Sequence, residues 1–501
     1  MRPTVTHIST AATTVLLACA VLTGTAHADD TSDSCTPLHL LLANGTTESA
    51  PNAATDQDSG FSMQIAVPAM LQANRDGRTL LSRSYLPYSA SFGGKPGDRA
   101  SDPYSLSVNS GVANGVRMLN DQAQQCPKQK MFLVGYSQGA QVMATIAADI
   151  ANGRGPIPAD RVAGVALFSN PLRIPGAPVF ATAGQNSPAK VPGAAGSSVT
   201  QVHVGTVTPP DGGGIAPTKT APSFAGMAGR VASWCAHGDL ACDTPKDAAL
   251  ARVVANIASQ SKLDPTDPIG ILTSVGTAVG QSILYTGSKF ITDNVGFNSA
   301  TGRVEIKASA GPTVMDRLVE ASNPNLPKDG IGEAIKAITK LAGMAISATI
   351  SVVKTVLSPA SIGEIAAAGV AGPEAALAML GTKVAGAALK LVSPVTAVNA
   401  VQLAFHELEQ GAIDNAGLVR IAMDSTYWNT AQQHTSYVST PVGVDGQTAA
   451  QLTADWVAAA AADLADTPAA STTATKPRTG PLLASPDRPV LPASQILAGH
   501  S

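Results

Sequence analysis

Lys130-Met131-Phe132-Leu133-Val134-Gly135-Tyr136-Ser137-Gln138-Gly139-Ala140 is the stretch that decides the fold. Its apolar opening predicts a buried strand over Lys130–Val134, and a helix of small residues is predicted from Ala140 to about Ala151. Between them stands a Gly-x-Ser-x-Gly turn. A strand-to-helix turn of this kind is so tight that only glycine fits two residues to either side of the serine, and it thrusts Ser137 Oγ out above the sheet. The helix N-terminus and the amide of Gln138 then face the oxygen that turns negative when a serine attacks a carbonyl. As a bare pattern the pentapeptide is common; the strand before it and the helix after it make Ser137 a candidate nucleophile.

Working outward, Leu38–Ala43 is a short apolar run ending in Asn44-Gly45, which reads as a buried strand and a turn. Ser107–Gln125 has helical spacing through Val108, Val112, Val116 and Leu119 and stops at Cys126-Pro127. Arg161–Ser169 is a further strand closed by Asn170-Pro171. Alternating strands and helices predict an α/β fold, a parallel sheet wrapped by helices. Gly184–Pro222, rich in Gly, Pro, Ser and Thr, reads as loop with at most short strands. From about Lys246 to Gly417 the texture becomes Ala-rich with helical periodicity. Ile335, Ile338, Ala342, Ile346, Ile350, Val353 and Val356 form one apolar stripe there. The longest uncharged part, Leu341–Val353, is 13 residues, too short to span a bilayer. A capped helix is expected from Thr448 to Leu464, and the Pro/Ser/Thr-rich 467–501 as a disordered tail.

The chain has 501 residues, 45% hydrophobic and 13% charged. Its 32 basic residues against 35 acidic ones exclude a nucleic-acid binder held by phosphate charge. The apolar fraction excludes a disordered chain. Arg2, the apolar run Val15–Leu22 and Ala26-His27-Ala28 read as a signal peptide over residues 1–28, cleaved before Asp29. Leu16-Leu17-Ala18-Cys19 also fits a lipoprotein attachment site, but the apolar run continues past Cys19. The expected location is secreted, or in the cell envelope. Four cysteines remain: Cys35, Cys126, Cys235 and Cys242. An even count in an exported chain suggests two disulfides. Cys235 and Cys242 are close enough to staple one loop, which leaves Cys35 for Cys126.

A serine nucleophile needs a base and an acid that orients it, and on this kind of fold they follow in the order Ser, acid, His. The acid candidate is Asp239, in Cys235-Ala236-His237-Gly238-Asp239-Leu240-Ala241-Cys242, where a disulfide would fix one carboxylate on a rigid loop. Among histidines, His203 precedes the acid, His237 is two residues from it, His406 lies in an amphipathic helix, and His500 lies in the tail. His434, expected on a loop just before the last helix, is the candidate base.

These residues together resemble the cutinase family of serine esterases, in its actinobacterial branch. The resemblance is carried by Asn44-Gly45-Thr46-Thr47-Glu48 after the first strand, Cys126-Pro127, and Gly135-Tyr136-Ser137-Gln138-Gly139-Ala140. The stapled loop 235–242 and His434 add to it. It covers about Cys35–Asp243 and Asp424–Leu464, roughly half the chain. It implies an α/β-hydrolase-like three-layer sandwich with Ser137, Asp239 and His434 as the triad. An oxyanion hole made by the Gln138 amide with the amide and hydroxyl of Thr46, and disulfides Cys35–Cys126 and Cys235–Cys242, are implied as well. Such enzymes hydrolyse carboxylic esters and need no metal or cofactor.

Two departures stand out. Asn44 occupies a position where relatives commonly carry Arg, which predicts a looser oxyanion loop. Asp239 and His434 are 195 positions apart, where relatives join acid and base by a short loop. The expected organisation is a hydrolase body in two parts, 29–245 and 424–466, interrupted by an Ala-rich helical insertion domain at 246–423 that acts as a cap. The rival organisation is a self-contained helical domain. The expected substrate is a lipidic or long-chain ester, with cell-envelope or lipid-surface contact through the insertion and no nucleic acid. Envelope glycolipid esters such as trehalose mycolates, or acyl transfer from the same site, are the near alternatives. A non-catalytic lipid- or partner-binding scaffold is the alternative of another class.

Overall fold

The computed structural model describes residues 35–324, except 181, 183, 217–221, 228, 265, 299–302 and 307–311, then isolated positions between 325 and 428, and finally 429–466. The expected leader with Cys19, the stripe from Ile335 to Val356 apart from isolated positions between its members, His406, and the tail with His500 lie outside the described residues.

Five strands form one parallel sheet: β1 (Leu38–Ala43), β2 (Leu81–Tyr85), β3 (Lys130–Tyr136), β4 (Val162–Phe168) and β5 (Val231–Trp234), in the order β2-β1-β3-β4-β5. Helices α1 (Met63–Ala73), α2 (Tyr104–Gln125) and α3 (Gln138–Ala151) connect them. A parallel sheet covered on both faces gives strands that are apolar at every position. In β1, Leu38, Leu40 and Leu42 join the core on one face, and Leu41 and Ala43 join the core on the other. The first core is closed by α1 and by α8 (Ala449–Ala465), the last helix among the described residues, through Ile65, Ala69, Leu452 and Trp456. The second is closed by α2 and α3, through Val108, Leu119, Val142 and Ile146. The result is the expected three-layer α/β sandwich. Thr448 begins α8 with a capping box: its hydroxyl accepts from Gln451 N, and the Gln451 side chain accepts from Thr448 N.

Several elements differ from expectation. α1 went unpredicted because Pro68 lies inside it and interrupts the helical signal. β2 is an edge strand with only its two end residues buried, so it lacks the apolar run that marked β1 and β3. β5 is four residues long, too short for its pattern to register. The segment after Lys246 does contain helices, α4 (Ala249–Ser259), α5 (Pro268–Asn294) and α6 (Val314–Ser322). It also contains an antiparallel hairpin, β6 (Val295–Asn298) with β7 (Arg303–Ile306), so it is not wholly helical. Val295, Phe297, Val304 and Ile306 supply a β-favouring alternation that the Ala-rich surroundings obscure. Among the described residues no helix is long and apolar enough to cross a membrane.

His39 is the one histidine inside a central strand, 6% exposed, with Nδ1 2.8 Å from Ser82 Oγ on β2. Burial lowers its pKa from 6.5 to about 4. The unfolded chain therefore takes up this proton before the folded one does, and stability falls as pH drops from 6.5 towards 4, by about 3 kcal/mol in total. His39→Asn removes this contribution. Urea unfolding at pH 7 and pH 4 should show a pH dependence about 3 kcal/mol smaller in the variant, and equal slopes would disprove the assignment.

Candidate active site

The turn after β3 explains its own sequence. Ser137 has φ 55° and ψ −120°, a conformation that costs a non-glycine residue energy and persists only where the surroundings enforce it. They do so from both sides. Ser137 N donates to Phe168 O at 2.9 Å, and the Ser137 carbonyl accepts from Ala140 N and Gln141 N at the start of α3. A Cβ on Gly135 would come within 2.6 Å of Ala140 Cα, and one on Gly139 would collide with the carbonyls of Ala43 and Asn44. Strand and helix approach so closely here that both glycines are required.

His434 lies in the last turn of a short helix, α7 (Thr430–Thr435), rather than on the expected loop. Its Nε2 is 2.9 Å from Ser137 Oγ and its Nδ1 is 2.9 Å from Asp239 Oδ1. Tyr136, the residue before the serine, donates its hydroxyl to His434 O at 3.0 Å, so the elbow itself anchors the histidine. The three expected residues are thus brought into one hydrogen-bonded chain, although the acid and the histidine are 195 positions apart in sequence.

Asp239 follows β5 on the loop closed by the Cys235–Cys242 disulfide; the second disulfide joins Cys35 to Cys126. Its carboxylate is 1% exposed. Oδ1 also accepts from Ala241 N at 3.1 Å, and Leu240 N donates to Thr430 Oγ1 at 3.0 Å, tying the loop to the start of α7. Behind it, the fully buried Asp243 accepts from Gly238 N at 2.8 Å and from Gly212 N at 3.0 Å. His237 pairs with Asp243 at 2.8 Å and His203 with Ser187 at 2.7 Å, so neither takes part in the chain from Ser137 to Asp239.

Sequence reasoning missed two residues here. Tyr437 donates its hydroxyl to Asp239 Oδ2 at 2.6 Å and accepts from Ala236 N at 3.1 Å. Burial, then the Asp239 charge, pushes the phenol's pKa well above its usual range, so it remains a donor. Ser169, just after β4 with φ 55°, places Oγ 2.9 Å from His434 Nδ1. His434 and Tyr437 thus both bond the Asp239 carboxylate, and Ser169 is a second partner of His434 Nδ1. The only signal for Tyr437 is its place three residues after His434; Ser169 carries none beyond ending a strand.

The loop that carries Thr46 is held by side chains on both sides of it. Asn44 is buried, with Nδ2 donating to Ser59 O at 3.0 Å and Oδ1 accepting from Ser62 N at 3.1 Å. The shorter amide thus bonds the backbone just before α1 directly. Glu48 accepts from Gly45 N at 2.9 Å and Phe61 N at 3.0 Å, bracing the same turn. Burial raises the Glu48 pKa, opposed by those two N–H donors and by His434. Gln138 begins α3, where backbone N–H groups have no intrahelical acceptor. Its side chain donates to Ser91 O at 3.0 Å, so the amide end is fixed from the far side. Thr46 and Ser137 both line a cavity of about 220 Å³, mostly apolar, that opens beside the serine.

Such an arrangement can remove a proton from a serine, hold the resulting imidazolium against a buried carboxylate, and offer N–H donors to an oxyanion. Several known proteins are similar to this chain. The Cutinase family model matches residues 34–253. Among solved structures, an iodinated complex of acetyl xylan esterase is 20% identical, covering 47% of this chain and 99% of that one with a TM-score of 0.29. A cutinase-like protein from Cryptococcus sp. is 22% identical, covering 42% and 82%, with a TM-score of 0.27. The carboxylesterase Culp6 homolog of Corynebacterium glutamicum is 31% identical over 239 residues, 45% of this chain and 72% of the relative. That identity over most of the relative's length, together with the family match over the body that carries Ser137 and Asp239, makes the chain a member of the cutinase family and an esterase of the carboxylic ester hydrolase class.

Proposed function

We propose that the chain is a secreted serine esterase that cleaves lipidic carboxylic esters through Ser137, His434 and Asp239. The observation that carries this reading is the continuous relay from Ser137 Oγ to His434 to Asp239, at 2.9 Å for each step, with the serine held in a strained turn. His434 Nε2 takes the hydroxyl proton as Ser137 Oγ bonds to the ester carbonyl carbon. The carbonyl oxygen becomes an alkoxide, stabilised by the Gln138 amide and by Thr46. The imidazolium returns its proton to the departing alkoxide, and an alcohol leaves. Water then repeats the sequence on the acyl-serine: His434 accepts its proton, and a carboxylic acid departs as Ser137 Oγ is reprotonated. Asp239 keeps the Nδ1 proton in place throughout, and Tyr437 and Ser169 keep Asp239 and the ring in register.

Export fits a chain that contains two disulfides, since these persist in oxidising compartments. The segment 246–423 acts as a cap on the hydrolase body, a reading supported by the contribution of α4 to the cavity beside Ser137. The test is covalent titration with a fluorophosphonate, followed by peptide mapping. One label per chain at Ser137, with ester hydrolysis lost in proportion, is the expected result. A chain that hydrolyses esters without labelling at Ser137, or that neither labels nor hydrolyses, overturns the reading.

A further inference from the structure

The cavity beside Ser137 has two kinds of wall. The hydrolase body supplies Phe92, Val108, Pro171 and Ile215 around the serine. The segment after Lys246 adds Ala255, Asn256 and Ser259 of α4, with Asn323 and Pro324 just after α6. We propose that this cavity receives the acyl group of the ester, and that Ala255 on α4 sets its length limit at a medium-length chain. The inference rests on the serine-esterase reading and narrows its substrate class.

Chemistry decides which half of the ester enters. The leaving alcohol takes its proton from His434 Nε2, so it must face His434. The acyl carbon stays bonded to Ser137 Oγ until water releases it. Ser137 and Thr46 line the cavity and His434 does not, which places the acyl half inside and the alcohol half outside. The apolar lining suits a hydrocarbon chain, whose desolvation is favourable in proportion to the area buried.

Size follows from volume. A dry apolar cavity of ~150 Å³ accepts a six-carbon benzene ring. By the same packing, about 220 Å³ takes on the order of nine carbons. The wall has little freedom to retreat, because α4 is tied along its length. Arg252 donates to Lys246 O at 2.8 Å and to Thr244 O at 3.4 Å, next to the stapled acid loop. Leu263 N, beyond the C-terminal end, donates to Gly93 O at 2.6 Å, in the loop that carries Phe92. Asn256 Nδ2 reaches Ser322 Oγ at 3.2 Å, and Gln260 Nε2 donates to Ser322 O at 2.6 Å, binding α4 to α6. Ala255 has the smallest side chain of the five wall residues, so enlarging it subtracts directly from the space.

The test measures kcat/KM for p-nitrophenyl esters from acetyl to palmitoyl on the full chain. The expected profile peaks near octanoyl, at least tenfold above acetyl. Ala255→Phe lowers the octanoyl-to-acetyl ratio at least tenfold, and Ala255→Val gives an intermediate fall. Val254→Phe places the same ring one residue away, where the residue is 60% exposed, and leaves the ratio unchanged. Because both esters are measured on one preparation, the ratio does not depend on the fraction of folded enzyme. A wild-type optimum at acetyl or palmitoyl, an Ala255→Phe ratio equal to wild type, or an Ala255→Phe effect that follows the alcohol chain in a series of acetate esters would each overturn the proposal. Ser137→Ala separates the two levels. If it still turns over both esters, the serine reading fails; if it is inactive while Ala255→Phe leaves the ratio unmoved, only the acyl cavity fails.

Discussion

Ser137→Ala is expected to lower kcat on short p-nitrophenyl esters by a factor on the order of 10⁶, with KM within a few-fold of wild type. The substitution removes the oxygen placed to attack, and His434 loses its proton donor while keeping its bond to Asp239. Everything that would bind the ester remains: the N-terminal amides of α3, Thr46, and the cavity wall. Residual turnover on the order of 10³–10⁴ over water is then expected from binding and the oxyanion donors alone. Alanine also relieves little of the backbone strain, since it too carries a Cβ at φ 55°. The thermal midpoint should therefore move little, which separates a chemical loss from an unfolded one. A kcat within tenfold of wild type would remove Ser137 from the mechanism.

Asp239→Asn is expected to cost kcat about 10⁴-fold, through the tautomer of His434 rather than through charge alone. An amide at this position can turn its NH₂ toward Nδ1, which makes Nδ1 an acceptor and moves the ring proton to Nε2. A protonated Nε2 cannot take the proton of Ser137. Asp239→Ala removes the carboxylate without supplying a competing donor. Ser169 Oγ, 2.9 Å from Nδ1, then remains to accept the ring N–H and preserve the working tautomer. The alanine variant should thus be about tenfold more active than the asparagine variant, an order opposite to that expected from size conservation. Steady-state kcat for the two variants checks this, and equal losses would show that Ser169 does not support the ring.

The sequence disclosed those parts of the protein whose physics is local. A nucleophile turn needs glycines at fixed offsets because backbones nearly touch there, and Gly135 and Gly139 are legible for that reason. β1, β3 and β4 are legible because burial on both faces makes them near-continuous apolar runs, with His39 the one polar residue inside β1. α1 was hidden by Pro68, and β2 by its edge position. Tyr437 and Ser169 lie beyond local reading altogether. Their role depends on where β4, the stapled loop and α7 converge, and no spacing along the chain encodes that convergence. The contribution of α4 to the cavity is of the same kind: Ala255 differs from any other helical alanine only through what faces it.

The route of the chain has a consequence for how the enzyme comes into being. α8, which roofs one face of the sheet through Leu452 and Trp456, and His434, which completes the relay, both follow the long excursion after Asp239. A chain synthesised only to residue 423 would hold Ser137 and Asp239 yet have one face of its sheet covered by α1 without α8, and no His434. Contacts spanning 297 positions, as between Ser137 and His434, carry a heavy loop-closure cost and form late. On the proposed mechanism Ser137 is therefore expected to stay inert until α7 and α8 dock, so that activity itself reports completed folding, and a half-made chain carries no ester-cleaving centre.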